Sequence, residues 1–303
     1  MQQGKPVWTI IKILDWTKQY FQSKGVENPR LDAEVLLCDV LKCSRLHLYT
    51  NFEQPLEEQE LDAFRNYVAR RVKREPVAYI LGRKGFLKSE FKVTKDTLIP
   101  RPETELLVER ILSLTEFKGA QEILDLGCGS GVIIISLLQN LPEARGLAVD
   151  ISAPALEVML DNAKTLGVAD RCAGLVSDLY SHVLADEKFN LIVSNPPYIP
   201  YKDLAALEPE VHQEPQNALD GGADGLDFYR KIIAGAQKHL LPEGLLAFEI
   251  GIGQGADVVQ LCQDAGFKVT AICKDYSDIE RMIFATKEGT KYANEIMGFN
   301  EEK

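Results

Sequence analysis

The chain has little of what would mark a secreted, membrane-spanning or metal-dependent protein. No apolar stretch approaches the ~20 residues that a helix needs to cross a bilayer. The opening "MQQGKPVWTIIKILDW" has no continuous apolar segment followed by a small-residue cleavage site, so no secretory signal is expected. The six cysteines, at 38, 43, 128, 172, 262 and 273, contain no C-x-x-C pair. That spacing reads as reduced thiols in a cytoplasmic setting. Histidine is scarce, and His47, His182, His212 and His239 form no ligand-spaced set, so no metal is expected. Positive charge is scarce too. Residues 1–80 hold 12 Lys+Arg against 11 Asp+Glu, and the remainder holds 22 against 34. The larger part therefore lacks the overall positive field that drives binding to a phosphate backbone, and no direct nucleic-acid binding is expected.

What is present is a globular composition, 46% hydrophobic and 26% charged, with two different periodicities. Residues 1–80 read as a small helical bundle. Val7, Ile10, Ile11, Leu14 and Phe21 recur at spacings that suggest one helical stripe, and Leu36, Leu37, Val40 and Leu41 repeat the pattern. The stretch 55–75 begins with Pro55 and acidic residues and ends in Arg70, Arg71, Lys73 and Arg74, an order that suits the helix macrodipole. The basic end reads first as a solvated terminus, with a partner-docking surface as the alternative. Near alternation in "GFLKSEFKVTKDTLIP" suggests a β-hairpin, taken here as a linker over 81–98. From residue 122 strands and helices alternate: "EILDLG", "RGLAVD", "KFNLIVSN", "GLLAFEIG", "KVTAICKD" and "RMIFATK" read as strands. Such alternation means a doubly wound α/β domain, here 99–290, with ligands beyond the carboxyl ends of a parallel sheet. The polar tail, 291–303, is expected to fray.

Two motifs carry the chemistry. "LDLGCGSGV" places Asp125, Gly127, Cys128, Gly129, Ser130 and Gly131 at the turn from the first core strand into its helix. A dinucleotide fingerprint G-x-G-x-x-G would need glycine at 132, where the chain has Val132. The G-x-G-x-G spacing suits a nucleoside with an amino-acid tail. Asp150, ending the next strand, suits the two ribose hydroxyls, with a helix-capping role as the alternative. Asp178 after the third strand could accept the adenine amino group, or be a turn residue. Together these sites describe S-adenosylmethionine, with S-adenosylhomocysteine as product; a nicotinamide dinucleotide is the runner-up.

The second motif is "SNPPY". Asn195 falls at the end of the fourth strand, 64 residues after Gly131. Read alone, Asn195, Pro196, Pro197 and Tyr198 are a strand-ending turn. At the carboxyl edge of this sheet they read as a site for a planar –NH₂ group. The Asn195 side-chain carbonyl and the Pro196 backbone carbonyl can each accept one of its hydrogens, and Tyr198 offers a flat face. An amide nitrogen is a poor nucleophile because its lone pair is delocalised. Two fixed acceptors favour the geometry in which that pair points at a methyl donor, and alignment supplies the rest. The residues alone leave glutamine and adenine both open as acceptors.

With "REPVAYILG", "TLIPRPETE", "ILDLGCGSG", "VSNPPYIP", "EPQNALDGGADGLDFY" and "KDYSDIER", the sequence resembles the bacterial peptide-chain-release-factor glutamine N5-methyltransferases from about residue 5 to 287. The resemblance implies a seven-stranded class I methyltransferase domain behind a helical domain that docks the release factor. It implies methylation of the glutamine side-chain nitrogen in a Gly-Gly-Gln tripeptide. By motif match, Gly127 to Gly131 and Asp150 bind the cofactor and Asn195 to Tyr198 hold the glutamine; Asp178, Leu179 and Asn195 are also taken to border the cofactor. Many relatives have an aromatic after the third-strand Asp; this chain has Leu179, which can pack on adenine without stacking. Arg101, Glu103 and Thr104 are expected to line the site, with no role assigned to them. The alternatives are a ribosomal-protein glutamine methyltransferase, a DNA adenine methyltransferase disfavoured by the acidic domain, and a catalytically silent binding module.

Overall fold

The computed structural model describes residues 7–299. Contacts divide the chain into two units, Met1–Gly82 with Glu208–Gln213, and Arg83–Leu207 with Glu214–Lys303.

The first unit consists of helices α1 (Ile10–Ser23), α2 (Pro29–Leu41), α3 (Arg45–Thr50), α4 (Glu58–Arg71) and α5 (Val77–Leu81). Its core joins Ile10, Leu14 and Phe21 to Ala33, Leu36, Leu37, Phe64 and Val68. The stripe on α1 differs from the expected one. Ile10, Ile13, Leu14, Thr17 and Phe21 are buried, whereas Val7 precedes the helix and Ile11 is exposed. At 100° per residue Ile11 points well away from the face that Ile10, Leu14 and Phe21 share. Pro55 also lies outside the helix it was expected to open. It bridges Thr9, and α4 begins where the Glu60 carboxylate accepts the Glu57 N–H at 2.7 Å.

The basic end of α4 is not a solvated terminus. Arg71 is 5% exposed, with Nε 2.7 Å from Asp32 Oδ2 and a terminal nitrogen 2.7 Å from Glu210. Arg74 reaches Glu210 at 2.6 Å, and Arg70 pairs with Glu75 while donating to the carbonyls of Tyr79 and Ile80. Carboxylates and carbonyls of this unit, rather than water, satisfy most of these guanidinium donors.

The second unit opens with a hairpin, β1 (Arg83–Phe86) and β2 (Ser89–Lys92), whose Phe86 and Phe91 meet edge to face at 5.9 Å inside the core. There follow α6 (Pro102–Ser113), β3 (Glu122–Leu126), α7 (Val132–Asn140), β4 (Arg145–Asp150), α8 (Ala153–Thr165), β5 (Cys172–Val176) and β6 (Phe189–Ser194). Then come α9 (Asp227–His239), β7 (Leu240–Glu249), α10 (Gly255–Asp264), β8 (Val269–Lys274), β9 (Glu280–Thr286) and α11 (Ala293–Phe299). The seven-stranded sheet has the order β5-β4-β3-β6-β7-β9-β8, with an apolar core on each face.

The sheet is not wholly parallel. β9 runs antiparallel to both β7 and β8, because the short Asp275–Ile279 turn between β8 and β9 leaves no room for a crossover. The strand order reverses beside β3, so the carboxyl ends of β3, β4 and β6 open a crevice. The tail does not fray as far as it is described: α11 packs Ile296 into the core, and Tyr292 before it is fully buried. Residues 300–303 of that tail lie outside the described residues. No described helix is long and apolar enough to cross a membrane.

Candidate active site

The glycine loop is a backbone construction. The N–H groups of Gly127 and Cys128 both donate to the Val149 carbonyl, at 2.8 and 3.0 Å, which ties the loop to β4. The Gly129 N–H donates to Asp150 Oδ2 at 2.9 Å, and Asp150 Oδ1 accepts the Ser152 N–H at 2.9 Å. Capping of α8 falls to Ser152, whose hydroxyl accepts the Ala155 N–H. Burial pushes the Asp150 carboxyl upward against the pull of those backbone N–H groups. Gly129, at φ 53°, would direct a side chain into open space. Gly131, at φ 82°, is needed for another reason: a Cβ there would sit 2.6 Å from Met159 Cγ and 2.9 Å from Ile135 Cδ1.

Gly127, Gly129, Asp150, Asp178 and Leu179 line a cavity of about 250 Å3. Cys128, Ser130 and Gly131 do not line it and instead shape the back of the turn. Cys128 is buried, which holds its thiol well above the ordinary range, and the Ser130 carbonyl accepts from Asn162 Nδ2 at 2.9 Å. Asp178 is exposed, and Leu179 is half-buried at φ 49°, a left-handed conformation uncommon for leucine. Asp125, fully buried beneath the loop, accepts the Ile134 N–H at 3.3 Å through Oδ2. Its Oδ1 has no hydrogen-bond partner among the described residues, and burial raises its carboxyl to about 7.

Across the same cavity lie Asn195, Pro196 and Pro197. Asn195 Nδ2 donates to Thr104 Oγ1 at 3.2 Å, and the Thr104 hydroxyl donates to Glu249 Oε2 at 2.6 Å. Burial raises the Glu249 carboxyl to about 7, against the pull of hydrogen bonds from the Thr104 hydroxyl and the Asn195 side chain. Tyr198 is not part of the cavity wall. Its carbonyl accepts from Gln254 Nε2 at 3.0 Å, and its ring lies so close to Gly251 that a Cβ there would be 3.0 Å from Tyr198 Cδ2. Burial pushes its hydroxyl well up.

Two models of known families match this chain: the PrmC N-terminal domain over residues 12–82 and the methyltransferase small domain over 102–269. The release factor glutamine methyltransferase of Geobacter sulfurreducens is 45% identical over 93% of this chain and 98% of its own length. The chain belongs to the release factor glutamine methyltransferase family. The Rhodospirillum rubrum member is 44% identical over 91% of this chain and 84% of its own. Among solved structures, a methyltransferase from Pyrococcus furiosus superposes with a TM-score of 0.50 at 16% identity, covering 73% of this chain and 98% of that one. That likeness concerns the fold alone.

Several residues that the sequence left without a role converge on the corner. Glu214, almost wholly buried, accepts the Ile99 N–H at 2.9 Å and an Arg101 N–H at 2.6 Å, so "LIPRPETE" and "EPQNALDGG" meet there. Ile199 exchanges backbone bonds with Leu219 and Gly221, which lays the second motif beside the prolines. In "KDYSDIER", Asp275 caps its own turn through the Ser277 and Ile279 N–H groups and holds Arg281 at 3.1 Å. The Arg281 charge in turn pulls down the carboxyl of Glu249. Glu249 and Gln254 went unnoticed. The signal for Glu249 was a single acid ending the apolar run "GLLAFE", where burial is costly unless the group is partnered.

Proposed function

We propose that this chain transfers a methyl group from S-adenosylmethionine to the side-chain amide nitrogen of the Gly-Gly-Gln glutamine in peptide chain release factors. One observation carries the reading. The Asn195 –NH₂ is committed to Thr104 and Glu249 inside the protein, which leaves the Asn195 carbonyl as the acceptor at the cavity that the glycine loop shares.

The residues present fit the cofactor. A Cβ at Gly127 or Gly129 would meet nothing within 4 Å, so the backbone of the turn lies open to the cavity that Asp150 and Asp178 also line. Gly127, Gly129, Asp150 and Asp178 would hold it, with Leu179 packing on the base and Cys128, Ser130 and Gly131 shaping the turn. S-adenosylmethionine supplies an electrophilic methyl group. Asn195 and Pro196 supply two acceptors for the glutamine –NH₂, Pro197 stiffens the corner, and Tyr198 supports it from behind. The helical unit would dock the release factor, and the reaction would take place in the cytoplasm, where translation terminates.

The test is to incubate the protein with labelled S-adenosylmethionine and, separately, release factor, ribosomal protein and DNA. Label on the release factor alone, at the Gly-Gly-Gln glutamine, is the expected outcome. Label on ribosomal protein or DNA instead would overturn the substrate assignment, and label on none of them would favour a binding module.

A further inference from the structure

The Asn195–Thr104–Glu249 chain has a direction, and that direction has a chemical consequence. A threonine hydroxyl has one proton to give and lone pairs to accept with. Here the proton goes to Glu249 Oε2 at 2.6 Å, so toward Asn195 the same oxygen can only accept, and the ionised Glu249 carboxylate, itself hydrogen-bonded to the Asn195 side chain, can likewise only accept. It can therefore face the Asn195 –NH₂ but not the Asn195 carbonyl. Turning the amide over would set two acceptors against each other and aim an –NH₂ at the cavity. A reacting –NH₂ group would then meet donors where it needs an acceptor.

We propose that Glu249 and Thr104 are positioning residues that fix which end of the Asn195 amide faces the reacting nitrogen, and so keep the corner competent for methyl transfer. The proposal rests on the function proposed above. The fold places the three residues for this role. Ser194 pairs with Phe248 in the β6–β7 register, so Asn195 and Glu249 are the next residues on neighbouring strands. Thr104 comes from the first turn of α6, just after the Arg101 and Pro102 that open that helix. Glu249 is 2% exposed, and no solvent competes for the Thr104 proton.

The direction depends on Glu249 being ionised. A protonated Glu249 can donate to Thr104 Oγ1, which frees the threonine proton to point at Asn195 and removes the preference for the competent orientation. Burial places the Glu249 carboxyl at about 7, so the competent orientation is favoured above that pH and lost below it. The charged and titratable groups facing Glu249 are Glu103 from α6, Arg281 from β9, Tyr198 from the corner and Tyr229 from α9. Burial holds both tyrosine hydroxyls far above this range, and Glu103 pushes Glu249 upward.

The test compares variants of the full chain in single-turnover transfer to release factor, at saturating cofactor and substrate, from pH 6 to 8.5. Thr104→Val keeps the shape and removes the hydroxyl. Its rate should fall ~10- to 100-fold, about 1.4–2.7 kcal/mol, for an interaction lost at the reacting group. Thr104→Ser should recover to within about threefold of wild type, since each tenfold is only ~1.4 kcal/mol and the hydroxyl is retained. The wild-type rate should drop toward low pH, Glu249→Gln should lose that drop, and Glu103→Gln should move it to lower pH. S-adenosylhomocysteine affinity, measured by calorimetry, should be the same in all of them. A second readout needs no acceptor: the Asn195 side-chain NH₂ resonances in ¹⁵N spectra should shift in Thr104→Val and remain in place in Thr104→Ser. Wild-type transfer to release factor tests the proposed function; the ratios and the NH₂ resonances test the relay. Equal rates for Thr104→Val and wild type, a pH limb that survives in Glu249→Gln, or unshifted Asn195 resonances in Thr104→Val would each overturn it.

Discussion

The glycine loop and the Asn-Pro-Pro-Tyr corner face one cavity, and they are held there in opposite ways. The loop is held mainly by its own backbone and by residues close in sequence. Asp150, which fixes Gly129, is 21 residues away, and Asp125, which accepts from Ile134, is 9 away. The corner is held by side chains from far along the chain: Thr104 is 91 residues from Asn195, and Gln254 is 56 from Tyr198. Thr104 and Glu249, which bond each other, are 145 apart. The loop is thus a local structure that any βα turn of this sequence would tend to make, whereas the corner is shaped only once the sheet has closed around it.

The largest effect that tests this contrast comes from the corner. Asn195→Ala removes an acceptor and leaves a substrate N–H without the partner that holds it in line. We expect methyl transfer to fall by at least ~10²-fold, since a lost transition-state donor–acceptor pair costs ~3 kcal/mol. S-adenosylhomocysteine affinity should change little, because Gly129 and Asp150 are untouched. Single-turnover transfer and calorimetry on the same variant check both halves. A cofactor affinity that fell as far as the rate would mean that the two halves of the cavity are not separately held.

Gly131→Ala probes the loop in the converse way. Its Cβ would lie 2.6 Å from Met159 Cγ at a backbone angle that side chains rarely adopt. Overpacking of that kind costs ~1–3 kcal/mol, and the left-handed backbone adds about 1 more. The loss should appear in urea unfolding and in cofactor affinity together, since fold and site are one construction there. Gln254→Ala should cost less. It removes the donor to the Tyr198 carbonyl and the acceptor of the Gly251 N–H, each an unmade bond of ~1–3 kcal/mol at a buried residue, but it forces no side chain into occupied space and touches no substrate atom. The transfer rate should fall while cofactor affinity holds.

The same contrast explains what could be read in the sequence. "LDLGCGSGV" and Asp150 were legible because glycine spacing and a strand-terminal acid state their own geometry. "NPPY" was legible as a corner, since prolines announce a stop. Its supports were not, because Thr104, Glu214, Glu249 and Gln254 are ordinary residues whose meaning lies in pairing across 56 to 145 positions. The antiparallel β9 was hidden for a similar reason, as its direction is set by the short turn before it and not by its own residues. In the helical unit, the buried arginines on α4 could not be told from a solvated basic end until Asp32 and Glu210 stood beside them.

The smallest expected effect separates the two regions by pH. Asp125 beneath the loop and Glu249 beneath the corner are both held at about 7 by burial, above their ordinary values near 4. Between those limits the folded state binds more protons than the unfolded chain, so stability falls as pH rises from about 4 to 7. Each group contributes a slope of at most ~1.4 kcal/mol per pH unit, and neither contributes one above its folded value. Urea midpoints should therefore be higher at pH 5.5 than at pH 8. Asp125→Asn should flatten part of that slope and leave the pH dependence of methyl transfer as it was, because Asp125 touches none of the atoms at the cavity and the Gly127 and Cys128 N–H groups still hold the loop to the Val149 carbonyl, a bond in which neither partner titrates. Glu249→Gln should flatten a similar share of the stability slope and also remove the low-pH limb of the rate. Stability and rate then move together only at the corner, where a titrating side chain decides which atom meets the substrate. If Asp125→Asn also abolished the limb, proton binding under the loop would be felt across the cavity, and the separation between the two constructions would fail.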